Sequence, residues 1–335
     1  MHLIAHIGTG KTGSSSIQAA LCQYASSGLG DYQHCIIGHG GEVATSETLR
    51  RLAHDHIVGY APSRADPTGD ECNRRKIASG IREIVSAGRI PILSHENWAN
   101  IGPKFEDTDF WASIGANRPT TYVYVRPPVE YLNAAWWQWL RWYRRYEDPE
   151  AVLKAWGGGF IDWWKLLAPW RRISQLNVRL HSKDNTRDFF SLLGLTLPDE
   201  TTRFNVSMTE DLIRIYDAIP EIRAPHDSVH DALLRSIAGN GPRAPWAVPR
   251  HLAAHVIDAT RDDNMLLAAS LSPDQREAML ADARWWDAAA YDEDYEKMRP
   301  IKPMDRHVAE DLVRRTAPYV YNRIRQTSEA QAAPS

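Results

Sequence analysis

The chain of 335 residues has only three cysteines, Cys22, Cys35 and Cys72, and none forms a C-x-x-C pair. Thiols so few and scattered argue against a disulfide framework or a zinc site, and they fit a reducing compartment. No apolar run reaches the roughly 18 residues that a membrane span requires. The first residues, Met1-His2-Leu3-Ile4-Ala5-His6-Ile7, carry no basic stretch and are too short for a secretory signal, so a cytoplasmic protein is expected. A net charge of −3 offers no global field for nucleic acid or an anionic membrane. An anion site in this chain must therefore be a local gathering of donors.

What is present is an ordinary globular balance, 43% hydrophobic and 24% charged, long enough for one large α/β domain or two modest ones. Leu3 to Ile7 reads as a buried strand running into Gly8, and the next helix should open near 13–16, burying Ile17, Ala20, Leu21 and Tyr24. Further strands are expected at 35–37, 90–93, 121–125 and 176–180, although Pro91 would cost the second of these a ladder donor. Helices are expected at about 74–87 and 129–146, and in a segment ending at Leu193, with Gly88 and Gly194 as C′ residues. Strands alternating with helices imply an α/β fold, a central parallel sheet flanked by helices, with ligands beyond the carboxyl ends of its strands. From about residue 200 the pattern becomes helical. Ser207-Met208-Thr209-Glu210 and Ser272-Pro273-Asp274-Gln275 both fit a capping box. The expected organisation is a core over 1–200, a helical extension over 201–326 packed on it, and a disordered tail over 327–335.

The segment His6-Ile7-Gly8-Thr9-Gly10-Lys11-Thr12-Gly13-Ser14-Ser15-Ser16 carries the chemistry. Glycines allow a tight turn whose amides converge on an anion, and a helix N-terminus adds free N–H groups and the positive end of its dipole. Lys11 supplies a point charge, and Ser14, Ser15 and Ser16 supply hydroxyls. A Walker A loop, G-x-x-x-x-G-K-[ST], would need its first glycine where Ala5 stands. The pattern that does fit is Lys11-Thr12-Gly13-Ser14-Ser15-Ser16.

With that pattern the chain resembles the sulfotransferases that use 3′-phosphoadenosine 5′-phosphosulfate (PAPS). The resemblance implies a P-loop-NTPase-like fold in which Gly10, Lys11, Thr12, Gly13 and the three serines hold the 5′-phosphosulfate and Lys11 steadies the leaving oxygen. It also implies an arginine at a strand end, a nearby proline and a serine eight residues past the arginine, together gripping the 3′-phosphate. Arg126 and Pro127 match, and a guanidinium suits phosphate. The serine position is Ala134, which removes a hydrogen bond worth about 1.5–3 kcal/mol, so Ala134→Ser is expected to tighten donor binding. Asn133 is the neighbouring substitute, although one residue turns a helical side chain by about 100°. The late helix around Asp188-Phe189-Phe190 also resembles the family, so that the likeness covers residues 1 to about 200.

Sulfuryl transfer needs a base near the acceptor and positive charge near the leaving oxygen, and no metal is expected. Ser94-His95-Glu96-Asn97 follows an expected strand, with Glu96 the favoured base and His95 the second. The bland reading is a helix start, with Ser94 or Asn97 as cap and Glu96 in the first turn. His6 reads as a packed strand histidine, and His54-Asp55-His56 is a weak metal candidate. The thirteen tryptophans are the compositional oddity. Trp136, Trp139 and Tyr143 have core-like spacing with Leu132 and Leu140, whereas Trp137, Trp142 and Tyr146 beside Arg141, Arg144 and Arg145 suit a sugar or an anionic acceptor. Trp156-Gly157-Gly158-Gly159-Phe160 is either a closing loop or a linker, and Trp285-Trp286 anchor C-terminal helices. The expected partner is a small-molecule or glycan acceptor, glycolipids included, with no nucleic acid. Two rivals stand beside the sulfotransferase: a P-loop kinase using magnesium–ATP with Glu96 at the metal, and a non-catalytic nucleotide-binding module, which Ala134 suggests.

Overall fold

The computed structural model describes residues 1–24, 29–55, 63, 69–143, 146–197, 208–222, 234, 241–315 and 318. Six strands form one sheet: β1 (Ile4–Ile7), β2 (Tyr32–Ile37), β3 (Val43–Thr45), β4 (Ile90–His95), β5 (Thr120–Val125) and β6 (Gln175–Leu180). Their spatial order is β3-β2-β4-β1-β5-β6. All pairings are parallel except that of the short edge strand β3 with β2. The fold is thus α/β with a mostly parallel sheet. Strand β1 lies between β4 and β5, and the chain crosses over it on the way from β4 to β5. A crevice at the carboxyl end of such a strand is where open α/β sheets take ligands.

Alternation along the strands sorts side chains onto two cores. Leu3, Ala5 and Ile7 face a large cluster, while Ile4 faces a smaller one. The large cluster receives α3 (Glu71–Ser86) through Ile77, Ile81 and Ile84, and α4 (Gly102–Asp107) and α5 (Phe110–Ser113) through Phe105, Phe110 and Trp111. It also receives α6 (Pro128–Ala135) through Val129 and Leu132. The smaller cluster receives α1 (Ser14–Tyr24) through Ile17, Ala20 and Leu21, and the helix Asn185–Leu192 through Phe189 and Phe190. The remaining labelled helix, α2 (Ser46–Asp55), follows the edge strand β3. Pro91 sits inside β4 without penalty. Ile90 donates to Asp31 on the β2 side, so the donor that Pro91 lacks would face β1, whose ladder with β4 begins only at Ile92.

The helix expected over 129–146 is not continuous. It is α6, then a π-helical turn over Trp136–Leu140, then Arg141–Tyr143. The Arg141 N–H reaches Trp136 O instead of Trp137 O, and Trp137 O accepts the Trp142 indole N–H at 3.1 Å. Trp137 in turn donates to Pro245 O at 2.7 Å. The widened turn gives bulky rings separate sockets, so Trp136, Trp137 and Leu140 are buried while Trp139 is half-buried. Arg141 stacks on both Trp137 and Trp142, 5.3 Å from each ring, and pairs with Asp217 at 2.7 Å. Arg144, Arg145 and the Tyr143 side chain lie outside the described residues.

Neither expected capping box is seen among the described residues. Thr209 caps the helix Glu210–Ala218, accepting the Leu212 N–H. Ser272 makes no side-chain cap, and Gln275 accepts the Leu180 N–H at 2.7 Å, tying the helix Pro273–Ala281 to the edge of β6. The 21-residue helix Arg250–Ser270 packs against α6, and Trp285 is 1% exposed in the same cluster. No described helix is long and apolar enough to cross a membrane. Cys22 and Cys35 are buried and Cys72 is exposed, all as free thiols. The tail 327–335 and Ser207 lie outside the described residues, as do the side chains of His54, Asp55 and His56.

Candidate functional site

The loop between β1 and α1 is built by close approach and by two left-handed glycines. A β-carbon on Gly8 would stand 2.2 Å from Ser14 Oγ and 2.8 Å from Glu96 Cα, so only glycine lets the loop lie against the end of β4. Gly10 and Gly13 have φ of 75° and 81°, and Lys11 itself has φ 52°. A lysine in this region costs about 1 kcal/mol or more and persists only when its surroundings fix it. Two side chains from other strand ends do so. Arg126 Nη1 donates to Lys11 O at 3.2 Å, and Asn185 Nδ2 donates to Thr12 O at 2.6 Å. A trans peptide points its C=O and N–H in opposite directions, so the Thr12 and Gly13 amides are turned away from these two side chains.

Gly13 immediately precedes helix α1, and its carbonyl accepts the Ser16 and Ile17 N–H groups at 3.0 and 3.2 Å. A glycine at this position brings no side chain to cap the first amides, the place where Ser, Thr or Asp normally serves. The hydroxyls expected around the loop divide into two sets. Thr12 is buried and pairs with Thr9 at 3.3 Å, while Thr9 donates to Tyr124 O at 2.8 Å, pinning the loop to β5. Ser14 Oγ is buried without a partner among the described residues and turns towards Gly8. Ser15 and Ser16 are half-buried, and the Ser15 hydroxyl bonds the Glu96 carboxyl.

Glu96 follows β4 and reaches the loop. Its Oε1 lies 3.8 Å from where a Gly10 β-carbon would be, and Tyr131 Oη lies 3.9 Å from the same point. Desolvation raises the Glu96 pKa above the ordinary 4.5, with the Lys11 ammonium and the Ser15 hydroxyl pulling it back down. The Tyr131 phenol is likewise raised, first by burial and then by the nearby Glu96 carboxylate. Lys11, Glu96 and Tyr131 therefore share one corner, in which Tyr131 is buried and Lys11 and Glu96 are half-buried.

The neighbouring candidates make contacts with the scaffold. His95 Nδ1 accepts the Asn97 N–H at 3.0 Å and its ring stacks on Trp98 at 5.4 Å. Ser94 is buried and bonds His6 Nδ1 at 2.8 Å, and its carbonyl accepts from Gln18. Asn97 precedes a 3-10 turn, Trp98–Ile101, and makes no side-chain cap. His6 is a buried strand histidine whose pKa is lowered to about 3, first by desolvation and then by His34.

At the end of β5, Arg126 also pairs with Glu130 at 2.7 Å, its side chain 18% exposed, and its Nε is buried without a partner among the described residues. Glu130 is shared, because Arg284 Nη1 donates to its other oxygen at 2.7 Å. His181 is beside this group, its pKa lowered to about 4 by desolvation and then by Arg126, and its Nδ1 lies 2.7 Å from Asn185 Nδ2. Asn133, the expected substitute for a serine, turns elsewhere: its Oδ1 accepts the Ala247 N–H at 2.8 Å. Ala134, half-buried one residue on, brings no polar group.

Sequence reasoning missed Tyr131, His181, Asn185 and Arg284. Tyr131 stood within the Arg126 segment but carries no motif. Arg284 lies 154 residues from Glu130, and no local pattern links them. A cavity of about 740 Å³ lies elsewhere, between the helix Arg250–Ser270 and residues 150–165, floored by Leu153, Ile161, Leu252 and Val256. No residue of the glycine loop lines it. Among the described residues, no group of three His, Cys, Asp or Glu comes together as a metal site. No family model, no curated protein and no solved structure matches the chain.

Proposed function

We propose that the chain is a sulfotransferase that moves a sulfuryl group from PAPS to a hydroxyl or amine acceptor, on a P-loop-NTPase-like sheet. The observation that carries this reading is the loop itself. Lys11 stands in a left-handed turn between Gly10 and Gly13, its carbonyl held by Arg126, in front of an α1 start with a glycine cap. Such a turn presents amides and an ammonium to one anionic group. The strand order, with β1 between β4 and β5 and the loop at its tip, supports the same reading.

In this proposal the 5′-phosphosulfate lies on the amides of Thr12 to Ser15. Arg126 takes the 3′-phosphate. Arg284 brings a second guanidinium to the same face of α6, where Ala134 brings no hydroxyl. The acceptor oxygen forms a bond to sulfur as the bond from sulfur to the bridging phosphate oxygen breaks. The electron pair goes to that oxygen, where Lys11 stabilises it, and the acceptor proton goes to the Glu96 carboxylate. His95 is a support for the β4 turn in this scheme, since Nδ1 is engaged by the Asn97 amide.

A thermal-shift comparison tests the donor. Adenosine 3′,5′-bisphosphate without metal is expected to raise the Tm, and Arg126→Ala to remove most of the rise. A preference for magnesium–ATP would favour a kinase instead. Lys11→Ala is expected to lower kcat for sulfate transfer by about 10²–10³-fold, the worth of one transition-state charge contact. A chain that binds the bisphosphate but never turns over any hydroxyl or amine would be a binding module.

A further inference from the structure

We propose that the cavity between the helices Pro149–Trp156 and Arg250–Ser270 binds an uncharged aliphatic molecule, a saturated chain carrying one neutral hydrogen-bonding end. This site goes beyond the sulfotransferase reading and does not rest on it. Neither Glu96 nor any residue of the glycine loop lines the cavity, so a molecule held there is neither donor nor acceptor.

The volume, about 740 Å³, is that of a pocket for a small ligand. Its apolar surface comes from Leu153, Ile161, Leu252, Val256 and Ala259. The last three repeat at helical spacing, so one face of the long helix is turned to the cavity. The sequence has thirteen tryptophans, thirteen tyrosines and six phenylalanines, yet none of them lines this space. Aliphatic side chains and the backbone of Gly158 and Gly159 offer dispersion contacts but no ring face for stacking. Such a wall suits methylene groups.

The charges around the cavity cancel one another. Lys154 pairs with Glu150 at 2.8 Å, and Lys165 bridges Asp162 and Asp263 at 2.7 Å to each. The two polar side chains buried in the wall, Asp162 and Thr260, are also engaged. Asp162 accepts the Lys165 N–H at 3.1 Å. Thr260 donates to Val256 O at 2.9 Å and accepts from Asn264 at 3.1 Å. Every lysine and carboxylate lining the cavity is thus already paired, and an entering carboxylate or ammonium would lose hydration without a counter-charge. The mouth carries two exposed imidazoles, His251 and His255, one helical turn apart. Their ring nitrogens can donate to or accept from a neutral amide, ester or hydroxyl.

Calorimetry on the full chain at neutral pH, without nucleotide, tests this with three probes of one chain length: octanamide, octanoate and octylammonium. Octanamide is expected to bind at submillimolar concentration, roughly 10-fold or more tightly than either ion. Hexanamide, two methylenes shorter, should bind roughly 10- to 15-fold more weakly, since each buried methylene is worth about fourfold. Ala259 is exposed and lines the cavity, so Ala259→Trp fills the space from the surface and should abolish octanamide binding at an unchanged Tm. Lys11→Ala should bind octanamide as the wild type does. The proposal is overturned if octanamide does not bind at millimolar concentration, if either ion binds as tightly, or if hexanamide matches octanamide. It is equally overturned if a folded Ala259→Trp chain still binds, if Lys11→Ala loses binding, or if adenosine 3′,5′-bisphosphate displaces octanamide. The probe comparisons use the natural chain, so they decide even where Ala259→Trp melts early. The donor reading stands or falls separately, on the thermal shift by the bisphosphate.

Discussion

Two segments of this chain are glycine-rich for opposite reasons. In the loop after β1, a β-carbon on Gly8 would collide with Glu96 Cα at 2.8 Å and with Ser14 Oγ at 2.2 Å. In the segment after Trp156, no built β-carbon at 157, 158 or 159 meets anything within 4 Å. The first is a mould with no spare room, and the second is an opening. Gly8→Ala is the sharpest way to break the contrast. Backbone must move, at a cost of about 2–3 kcal/mol. A melting curve should show the Tm lowered by roughly 3–4 °C, and stabilisation by adenosine 3′,5′-bisphosphate should vanish. An unshifted Tm would mean that loop and β4 are not in contact.

The mould also holds a charge that the fold disfavours. Burial raises the Glu96 pKa more than Lys11 and Ser15 lower it, so as pH rises past 4.5 the folded chain gives up this proton later than the unfolded chain does. The sign follows from that difference in protons bound. This group's contribution is fully present below the ordinary value of 4.5 and is lost as pH rises through the raised folded value. Glu96→Gln keeps the bond to Ser15 and removes the ionisation. It should melt higher than the wild type at pH 7, with the two curves converging below pH 4.5, while sulfate transfer falls. A variant that melts lower at pH 7 would show the Lys11 attraction to be the larger effect.

The first segment was legible in the sequence and the second was not, and the reason is the range of the interactions. Strand, glycine turn, lysine and helix start are written in consecutive residues, so β1, the loop and α1 could be read along the chain. The same holds for β5 and Arg126. Pro91 was a misleading warning, because which neighbour its missing donor faces depends on the ladder register with β1. The unbroken helix expected over 129–146 failed on long-range grounds. Trp137 finds Pro245, 108 residues away, and Trp142 takes the carbonyl that helical periodicity assumes is occupied. Asn133 looked available only because Ala247, 114 residues distant, could not be seen beside it. The second guanidinium at Glu130 was hidden in the same way.

The smallest expected effects lie in the opening, and they separate a lid from a linker. Gly157 ends its helix at φ 68° and ψ 174°, a region that only glycine enters readily, so Gly157→Ala should cost about 1–3 kcal/mol. Gly158 and Gly159 form a 3-10 turn with Phe160, and neither is among the positive-φ glycines. Alanine fits there without strain and narrows the unfolded ensemble, so Gly158→Ala or Gly159→Ala should gain about 0.4–1 kcal/mol. That gain is a rise in Tm of roughly 0.5–1.5 °C. A linker has no further duty, and turnover would then be unchanged. A segment that closes over a bound ligand needs the freedom these two residues supply, so the same variants would lower kcat while melting higher. Thermal melts and steady-state rates on one pair of proteins decide between the two.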